Sequence, residues 1–295
     1  MISIVIVSYN TRELLRQCLR SIEQHCPQAE VFVVDNASRD GSPAMVRADF
    51  PQVRLIETGR NAGFAAANNA GLKEARGEYL VLLNSDTVLE DDALQRCVDW
   101  MQAHPEVGAC SPSLMGADGH PQQCVYAFAS LRAALRECAR LAPRQQPEEQ
   151  GWLAGTCLVL RAQALAAIGG TLDDHYWMYW EDADLSARLL QEGWKVEHYP
   201  GAQIIHHGGA SGGGADATRR ADLHAWFLHG KYRWLASYRP WYETAGVWML
   251  DLMDVGRKLV RGVVRPQRRQ GEWKHARVLA VTLARELVGG APPRP

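Results

Sequence analysis

Three short clusters in this 295-residue chain carry side chains suited to chemistry. Asn84-Ser85-Asp86 follows the apolar run Tyr79-Leu80-Val81-Leu82-Leu83, so a carboxylate and two short polar side chains stand at the carboxyl end of an expected strand. Oxygen ligands placed this way can hold a divalent cation and leave positions for substrate phosphates. The same three residues equally suit a turn or a helix cap. Glu181-Asp182-Ala183-Asp184, the densest acidic cluster, follows the aromatic run Tyr176-Trp177-Met178-Tyr179-Trp180. A carboxylate among aromatics is partly desolvated, which raises its pKa and suits it to general-base work. Aromatic faces also stack on sugar rings. The bland alternative is an acidic helix start favoured by the helix dipole, with the aromatics as core. His206-His207 ends the apolar stretch Ala202 to Ile205, where a histidine could add a metal ligand to Asp86. A lone histidine is more often structural, and the spacing does not say which of the two points inward.

These residues need elements to hold them. Ile2 to Val7 is a β-branched, nearly continuous apolar run, the mark of a strand buried on both faces. Asn10 and Glu13 make a capping box for a helix whose apolar face is Leu14, Leu15, Cys18, Leu19 and Ile22. Strands are expected at Val31 to Val34, Val53 to Ile56 and Tyr79 to Leu83, with helices at Ala65 to Ala75 and Asp91 to Ala103. Such alternation with short loops implies α/β architecture around a parallel, doubly wound sheet. Ligands of such sheets collect beyond the carboxyl ends of the strands. Those ends are all polar here: Ser8-Tyr9-Asn10, Asp35-Asn36, Gly59-Arg60-Asn61 and Asn84-Ser85-Asp86. Residues 116–150, with Gly, Pro and Gln clusters around one short amphipathic piece, read as a mobile insertion. Ser211-Gly212-Gly213-Gly214 reads as a flexible joint between a domain at 1–212 and a helical, aromatic and basic region at 213–295.

Composition narrows the class. Apolar residues make up 47% and charged residues 22%, values of a folded protein rather than a disordered one. Seven scattered cysteines without a CxxC pair argue against a disulfide framework or structural zinc, and for a reducing compartment. The first residues lack a basic, signal-like start, and an uncharged apolar run of roughly 18 residues is missing, so a cytoplasmic location is expected. The net charge of −1 conceals an asymmetry. From Gly230 onward 13 Lys and Arg face 5 acids, whereas 19 face 28 before it. Trp248, Leu252, Val255 and Leu259 recur at helical spacing between Trp241 and Val264, beside Arg257, Lys258, Arg261 and Arg265. A basic amphipathic helix with tryptophans suits an anionic membrane face, though it could also pack on its own domain or on a second copy.

In order along the chain, ISIVIVSYN (2–10), VFVVDNASRDGS (31–42), RNAGFAAANNAG (60–71), LLNSDTVL (82–89), GWLAGTCLVLR (151–161), IGGTLDDHYWMYWEDADLSARL (168–189) and IIHHGGAS (204–211) resemble the inverting family 2 glycosyltransferases of the GT-A fold. The closest character is that of bacterial rhamnosyltransferases acting in cell-surface polysaccharide synthesis. The resemblance implies that Asp35 contacts the nucleotide base. Asn84 and Asp86 match the metal-binding DxD motif, with a neutral Asn84 in its first position. Asp182 matches the base of the "ED" motif, and His206 the histidine that completes a site for Mg2+ or Mn2+. The donor implied is a nucleotide-diphosphate sugar, with dTDP-L-rhamnose as the first choice, and the acceptor a glycan or lipid-linked glycan. No nucleic acid is expected among the partners. The strand-end residues Ser8, Tyr9, Asn10, Arg60, Asn61, Gly63 and Ser85 are the expected donor contacts, and Trp152, Gly155, Trp180 and Glu181 the acceptor side. One cation and one base fit a single displacement, whereas glycosidases need two carboxyls flanking the bond. Two other classes stay in view. A nucleotidyltransferase or dehydrogenase would want a glycine-rich phosphate loop after the first strand, where Ser8-Tyr9-Asn10-Thr11 has no glycine. A non-catalytic membrane-surface protein would be expected to lose Asp86 or Asp182, and both are present.

Overall fold

The computed structural model describes residues 1–139, 151–208 and 217–264, together with Arg277, Ala280, Val281 and Ala284. The joint at 211–214 and the basic residues 265–274 lie outside the described residues. The chain divides into two compact units: Met1–Ala127, Gln146–Trp177 and Glu181–Gly214 form the first, and Phe128–Gln145, Met178–Trp180 and Ala215–Pro295 the second. Two short excursions from the amino-terminal part therefore group with the C-terminal helices, which a division drawn at one point in the sequence does not anticipate.

The first unit opens with the alternation expected, plus a helix α2 that was not read in the sequence: β1 (Ile2–Ser8), α1 (Arg12–His25), β2 (Glu30–Asp35), α2 (Ser42–Asp49), β3 (Arg54–Glu57), α3 (Phe64–Leu72) and β4 (Tyr79–Asn84). It continues through β5 (Thr87–Val88), α4 (Ala93–Ala103), β6 (Val107–Gly116), β7 (Pro121–Gln122) and β8 (Val125–Tyr126). Helix α5 (Leu131–Cys138) belongs to the second unit. The first unit resumes with β9 (Trp152–Leu153), β10 (Cys157–Arg161), α6 (Ala162–Ala167), α7 (Glu181–Gln191) and β11 (Lys195–His206). Residues 116–139, expected as a mobile insertion around one amphipathic piece, hold two short strands that were not read and the helix α5 at the place of that piece.

The main sheet runs β3-β2-β1-β4-β10-β6-β11-β5, with β7 added beside β6. β1 to β4 are parallel, as expected, but β10 is antiparallel to both β4 and β6. Side chains alternate across the sheet: Ile4 and Ile6 pack with Leu15, Leu19, Leu94 and Met101 on one face, while Val5 and Val34 pack with Ala67, Leu185 and Leu189 on the other. Each fully buried aliphatic side chain stabilises the fold by roughly 1.5–3 kcal/mol. The start of α1 departs from expectation. Asn10 has φ 56 and no helical geometry, and Thr11 occupies the cap position without a side-chain cap bond. The Asn10 carboxamide instead accepts from the backbone N–H of Arg39 at 2.7 Å, tying two loops together.

The second unit is built from α5, α8 (Ala217–Tyr238) and α9 (Trp241–Val264). Phe128 stacks on Trp234 at 5.1 Å, and the backbone N–H of Leu131 donates to the Glu243 carboxylate at 3.2 Å. The apolar stripe expected on α9 is split. Of that stripe Val255 is buried and Trp248 half-buried, whereas Leu252 and Leu259 are exposed, as are Trp241, Tyr242, Met249, Met253 and Val260 outside it. The i, i+4, i+7 periodicity is real, but two apolar faces exist, and the α5 and α8 packing takes only one of them.

Candidate active site

Strand direction decides where the chemistry can sit. Because β1, β2 and β4 are parallel, Ser8, Asp35 and Asn84 end at one edge of the sheet, with Ser8 opposite Asp35 and Val7 opposite Asn84. β10 runs the other way, so its first residue, Cys157, lies opposite Leu83 and brings the preceding turn to the same edge. Asn84 donates its N–H to the carbonyl of Thr156 at 2.9 Å there. β6 and β11 end on that edge too, with His206 opposite Gly116.

On the nucleotide side, Asp35 is 2% exposed. Its Oδ2 accepts from the Ser38 N–H at 2.9 Å, while Oδ1 is buried without a partner among the described residues. An acceptor left open in this way suits a ligand N–H. Ala37, a non-glycine residue at φ 67, makes the turn that sends Ser38 back to Asp35. Ser8 and Ser85 sit deeper than expected of donor contacts. Both hydroxyls are buried and bond the hydroxyl of Thr11, at 3.1 and 2.9 Å, which locks the ends of β1 and β4 to α1. Tyr9 is half-buried, and Asn10 and Arg60 are exposed. Asn61 accepts from the Asn36 carboxamide at 3.0 Å, and Asn36 also accepts from the Ala62 N–H at 2.8 Å and donates to the Gly63 carbonyl at 3.1 Å. Asn36 therefore clasps the loop after β3, a role not read in the sequence although the residue adjoins Asp35. Gly63 has φ 90, and a Cβ there would lie 2.3 Å from the carbonyl oxygen of Trp177, which receives the Phe64 N–H at 2.7 Å. Only glycine satisfies both the dihedral and this close approach.

Asp86 and His206 meet at the far end of β4. Asp86 precedes β5, whose Thr87 pairs antiparallel with His206 of β11. Asp86 is 4% exposed, and its Oδ1 faces the His206 Nε2 at 3.4 Å. His207 points outward, and its backbone N–H donates to the Asp86 carbonyl at 2.9 Å, which settles the choice between the two histidines. On its other side His206 Nδ1 lies 2.7 Å from Gln122 Oε1. Gln122 falls in a stretch read only as an insertion, so nothing in the sequence pointed to it. A buried carboxylate and an imidazole nitrogen aimed at each other form an oxygen–nitrogen donor pair compatible with Mg2+ or Mn2+. Asp173, Asp174 and His175 form a second acidic group, but it is largely exposed and carries no such buried donor.

Asp182 opens α7. Its Oδ2 accepts from the Gly155 N–H at 2.9 Å and its Oδ1 from the Ala183 N–H at 2.9 Å. Burial pushes its pKa up to about 6, against the lowering effect of those two bonds. Gly155 immediately precedes Thr156, the residue bonded to Asn84, so Asp182 is tied by backbone to the edge that holds Asp86. Glu181 is 5% exposed, and its Oε2 is without a partner among the described residues. Burial, then the neighbouring Asp182 charge, raises its pKa well above the usual carboxylate range. Asp184 is engaged elsewhere, accepting from Arg188 Nε at 2.8 Å. Trp152 stacks on Tyr126 at 4.7 Å and donates its indole N–H to the Ala127 carbonyl at 3.2 Å. Trp180 belongs to the second unit, where it is buried against Phe227 and Trp234.

With this geometry in hand, comparison with known proteins is decisive. A family model described as "Glycosyl transferase family 2" matches residues 3–156. The chain belongs to glycosyl transferase family 2. This glycosyltransferase is 29% identical over 300 residues to an N-acetylglucosaminyl-diphospho-decaprenol L-rhamnosyltransferase of Mycobacterium tuberculosis, covering 90% of this chain and 95% of the relative. It is 29% identical over 259 residues to the O-antigen biosynthesis protein RfbC of Myxococcus xanthus, covering 83% of this chain but 20% of that one. Among solved structures, the mannosyltransferase PcManGT from Pyrobaculum calidifontis, in complex with GDP-Man and Mn2+, aligns with a TM-score of 0.55 at 18% identity, over 97% of this chain and 86% of that one. GalNAc-T7 with UDP, GalNAc and Mn2+ aligns with a TM-score of 0.56 at 16% identity, over 81% and 51% of the two chains. The glycosyltransferase therefore has the GT-A fold of these enzymes, with α8 and α9 following it. Among the described residues no helix is long and apolar enough to cross a membrane.

Proposed function

We propose that the enzyme transfers a sugar, L-rhamnose from dTDP-L-rhamnose as the best-supported choice, to a lipid-linked glycan with inversion at the anomeric carbon. The observation that carries this reading is the single sheet edge that gathers an open buried acceptor at Asp35, the facing pair Asp86 and His206, and a half-buried carboxylate at Asp182. The mycobacterial relative's name supports the choice of sugar and of a lipid-diphosphate acceptor.

In this reading Asp35 Oδ1 takes an N–H of the nucleotide base. Asn36 and Gly63 hold the loop of Arg60 and Asn61 against the donor. Asp86 and His206 would hold a divalent cation, Mg2+ or Mn2+, which would supply charge neutralisation for the departing diphosphate. Asp182 accepts the proton of the acceptor hydroxyl through a lone pair not used by Gly155 or Ala183. The acceptor oxygen forms its bond to the anomeric carbon as the bond from that carbon to the diphosphate oxygen breaks, and the electron pair leaves with the nucleotide diphosphate. One displacement with one base inverts the configuration. A pKa of about 6 leaves Asp182 ionised at neutral pH yet more basic than an ordinary aspartate. Trp152 and Glu181 line the acceptor side of Asp182.

The exposed apolar residues of α9, with the exposed Arg257 beside them, support a peripheral seat on an anionic membrane, where a lipid-linked acceptor resides. The decisive experiment is transfer and hydrolysis against a panel of dTDP-, UDP- and GDP-sugars, with and without Mn2+. Turnover of dTDP-L-rhamnose that vanishes in EDTA and returns with Mn2+ is the expected result. Turnover of another donor alone would replace the sugar assignment, and full activity in EDTA would remove the cation.

A further inference from the structure

We infer that Gln122 is the positioning residue that fixes His206 in one tautomer, with the Nε2 lone pair aimed at Asp86. The inference rests on the cation reading given above for Asp86 and His206, and concerns a residue outside that pair. Gln122 reaches His206 through two strand pairings: β7 places it opposite Leu114 of β6, and β6 runs beside β11. Its carboxamide contacts His206 twice. The Nε2 atom donates to the backbone carbonyl of His206 at 3.0 Å, and Oε1 lies 2.7 Å from the ring Nδ1. A backbone carbonyl can only accept, so the amide group facing it must be the NH2. That leaves Oε1, which also can only accept, opposite Nδ1. The hydrogen of that bond must therefore sit on Nδ1, and in the neutral ring Nε2 carries a lone pair.

That lone pair faces Asp86 Oδ1 at 3.4 Å, and both side chains are largely buried, at 16% and 6% exposure. Two acceptors facing each other in a low-dielectric site repel unless a positive charge lies between them. The carboxamide lock thus leaves Nε2 to a bound cation or, without one, to a proton shared with Asp86. Two glycines lie against this carboxamide, and Gly116 gives it room. A Cβ on Gly116 would come within 3.2 Å of the Gln122 Nε2, and one on Gly208, at φ 63, within 3.4 Å. A partner on the second ring nitrogen also makes a ligating imidazole more basic, and losing such a partner typically costs about 10–100-fold in metal affinity.

The test reads the ring directly, without turnover. Long-range proton–nitrogen NMR of the 15N-labelled, metal-free full chain at pH 8 distinguishes the two tautomers and the imidazolium, with His206 assigned by its loss in His206→Gln. Mn2+ affinity is measured in parallel by electron paramagnetic resonance. The wild type is expected to show Nδ1–H. Gln122→Leu is expected to mix the tautomers and weaken Mn2+ binding by about tenfold or more. Gln122→Glu, which still offers an acceptor to Nδ1, is expected to keep the tautomer and to bind Mn2+ within a few-fold of wild type. A wild-type ring protonated on Nε2 alone overturns the inference, as does a Gln122→Leu variant with tautomer and Mn2+ affinity unchanged. An Nδ1–H ring in a wild type that binds no Mn2+ supports the lock while contradicting the cation reading.

Discussion

The Asp182 carboxyl receives two backbone N–H bonds and still titrates near 6, because burial outweighs them. If it is the base, kcat/KM should fall tenfold per pH unit below about 6, since only the ionised form accepts a proton. A profile flat down to pH 4.5 would place the base elsewhere. Glu181 makes a separate prediction. Its buried carboxyl holds a proton to higher pH in the folded chain than in the unfolded one, so stability declines as pH rises above the unfolded value of about 4.3 and stays lower beyond the folded value. Glu181→Gln removes that cost and should raise Tm at pH 8, with the gain vanishing near pH 4. Calorimetry showing equal or lower Tm at pH 8 would mean the Oε2 atom has a favourable partner after all. At this scale the placement of Asp35, Asp86 and Asp182 at strand ends and a helix start was legible in the sequence, while the choice of Asp182 over Glu181 and Asp184 came from the family resemblance. Gln122 and Asn36 were not legible, because their roles depend on partners 84 and 26 residues away. Amides at such distances leave no periodic trace.

Elements were legible in proportion to their length and regularity. β1 to β4 and the helices α1 and α3 follow from β-branched runs and apolar periodicity, and the parallel sheet follows from their alternation, whereas the eight-residue α2 was not read. Strands of two residues, such as β5 and β7, contain too little pattern to read, yet they bring Asp86 and Gln122 to His206. The capping box at Asn10 failed for a tertiary reason: the side chain that would cap α1 is engaged by the loop of Arg39. Close packing between elements gives its own prediction at Gly71 on α3. A Cβ there would lie 2.4 Å from Val5 Cγ1 and 3.2 Å from Val34 Cγ2, both on buried strands. Overpacking of this kind costs about 1–3 kcal/mol and exceeds the gain of about 1 kcal/mol from replacing a helical glycine. Gly71→Ala should therefore lower Tm by a few degrees without changing metal binding. A rise in Tm would show that α3 can move away from the sheet at little cost.

For the whole molecule, the charge asymmetry and the two units pose one question, what the exposed side of α9 meets. Tyr242, Met249, Met253 and Val260 are exposed on a helix whose Val247 and Val255 are buried, so the apolar surplus is not explained by the unit's own core. In flotation at low salt the full chain is expected to rise with anionic vesicles, and Met249→Glu with Met253→Glu to lower the bound fraction several-fold while leaving turnover on a soluble acceptor unchanged. Equal flotation of wild type and variant would remove α9 from membrane contact. The sequence anticipated the helix over Trp241–Val264 but not which of its faces is covered, because that depends on α5, drawn from the other half of the chain. In the proposed mechanism Asp182 takes the acceptor proton at an edge that binds the donor independently of it. Asp182→Asn keeps the size of the side chain and cannot accept that proton, so the most direct measurement is its donor affinity beside its transfer rate. The expected result is dTDP-L-rhamnose bound within a few-fold of wild type in the presence of Mn2+, with transfer reduced by about 10²-fold or more. Normal transfer by Asp182→Asn, with Glu181→Gln or Asp184→Asn inactive instead, would contradict it.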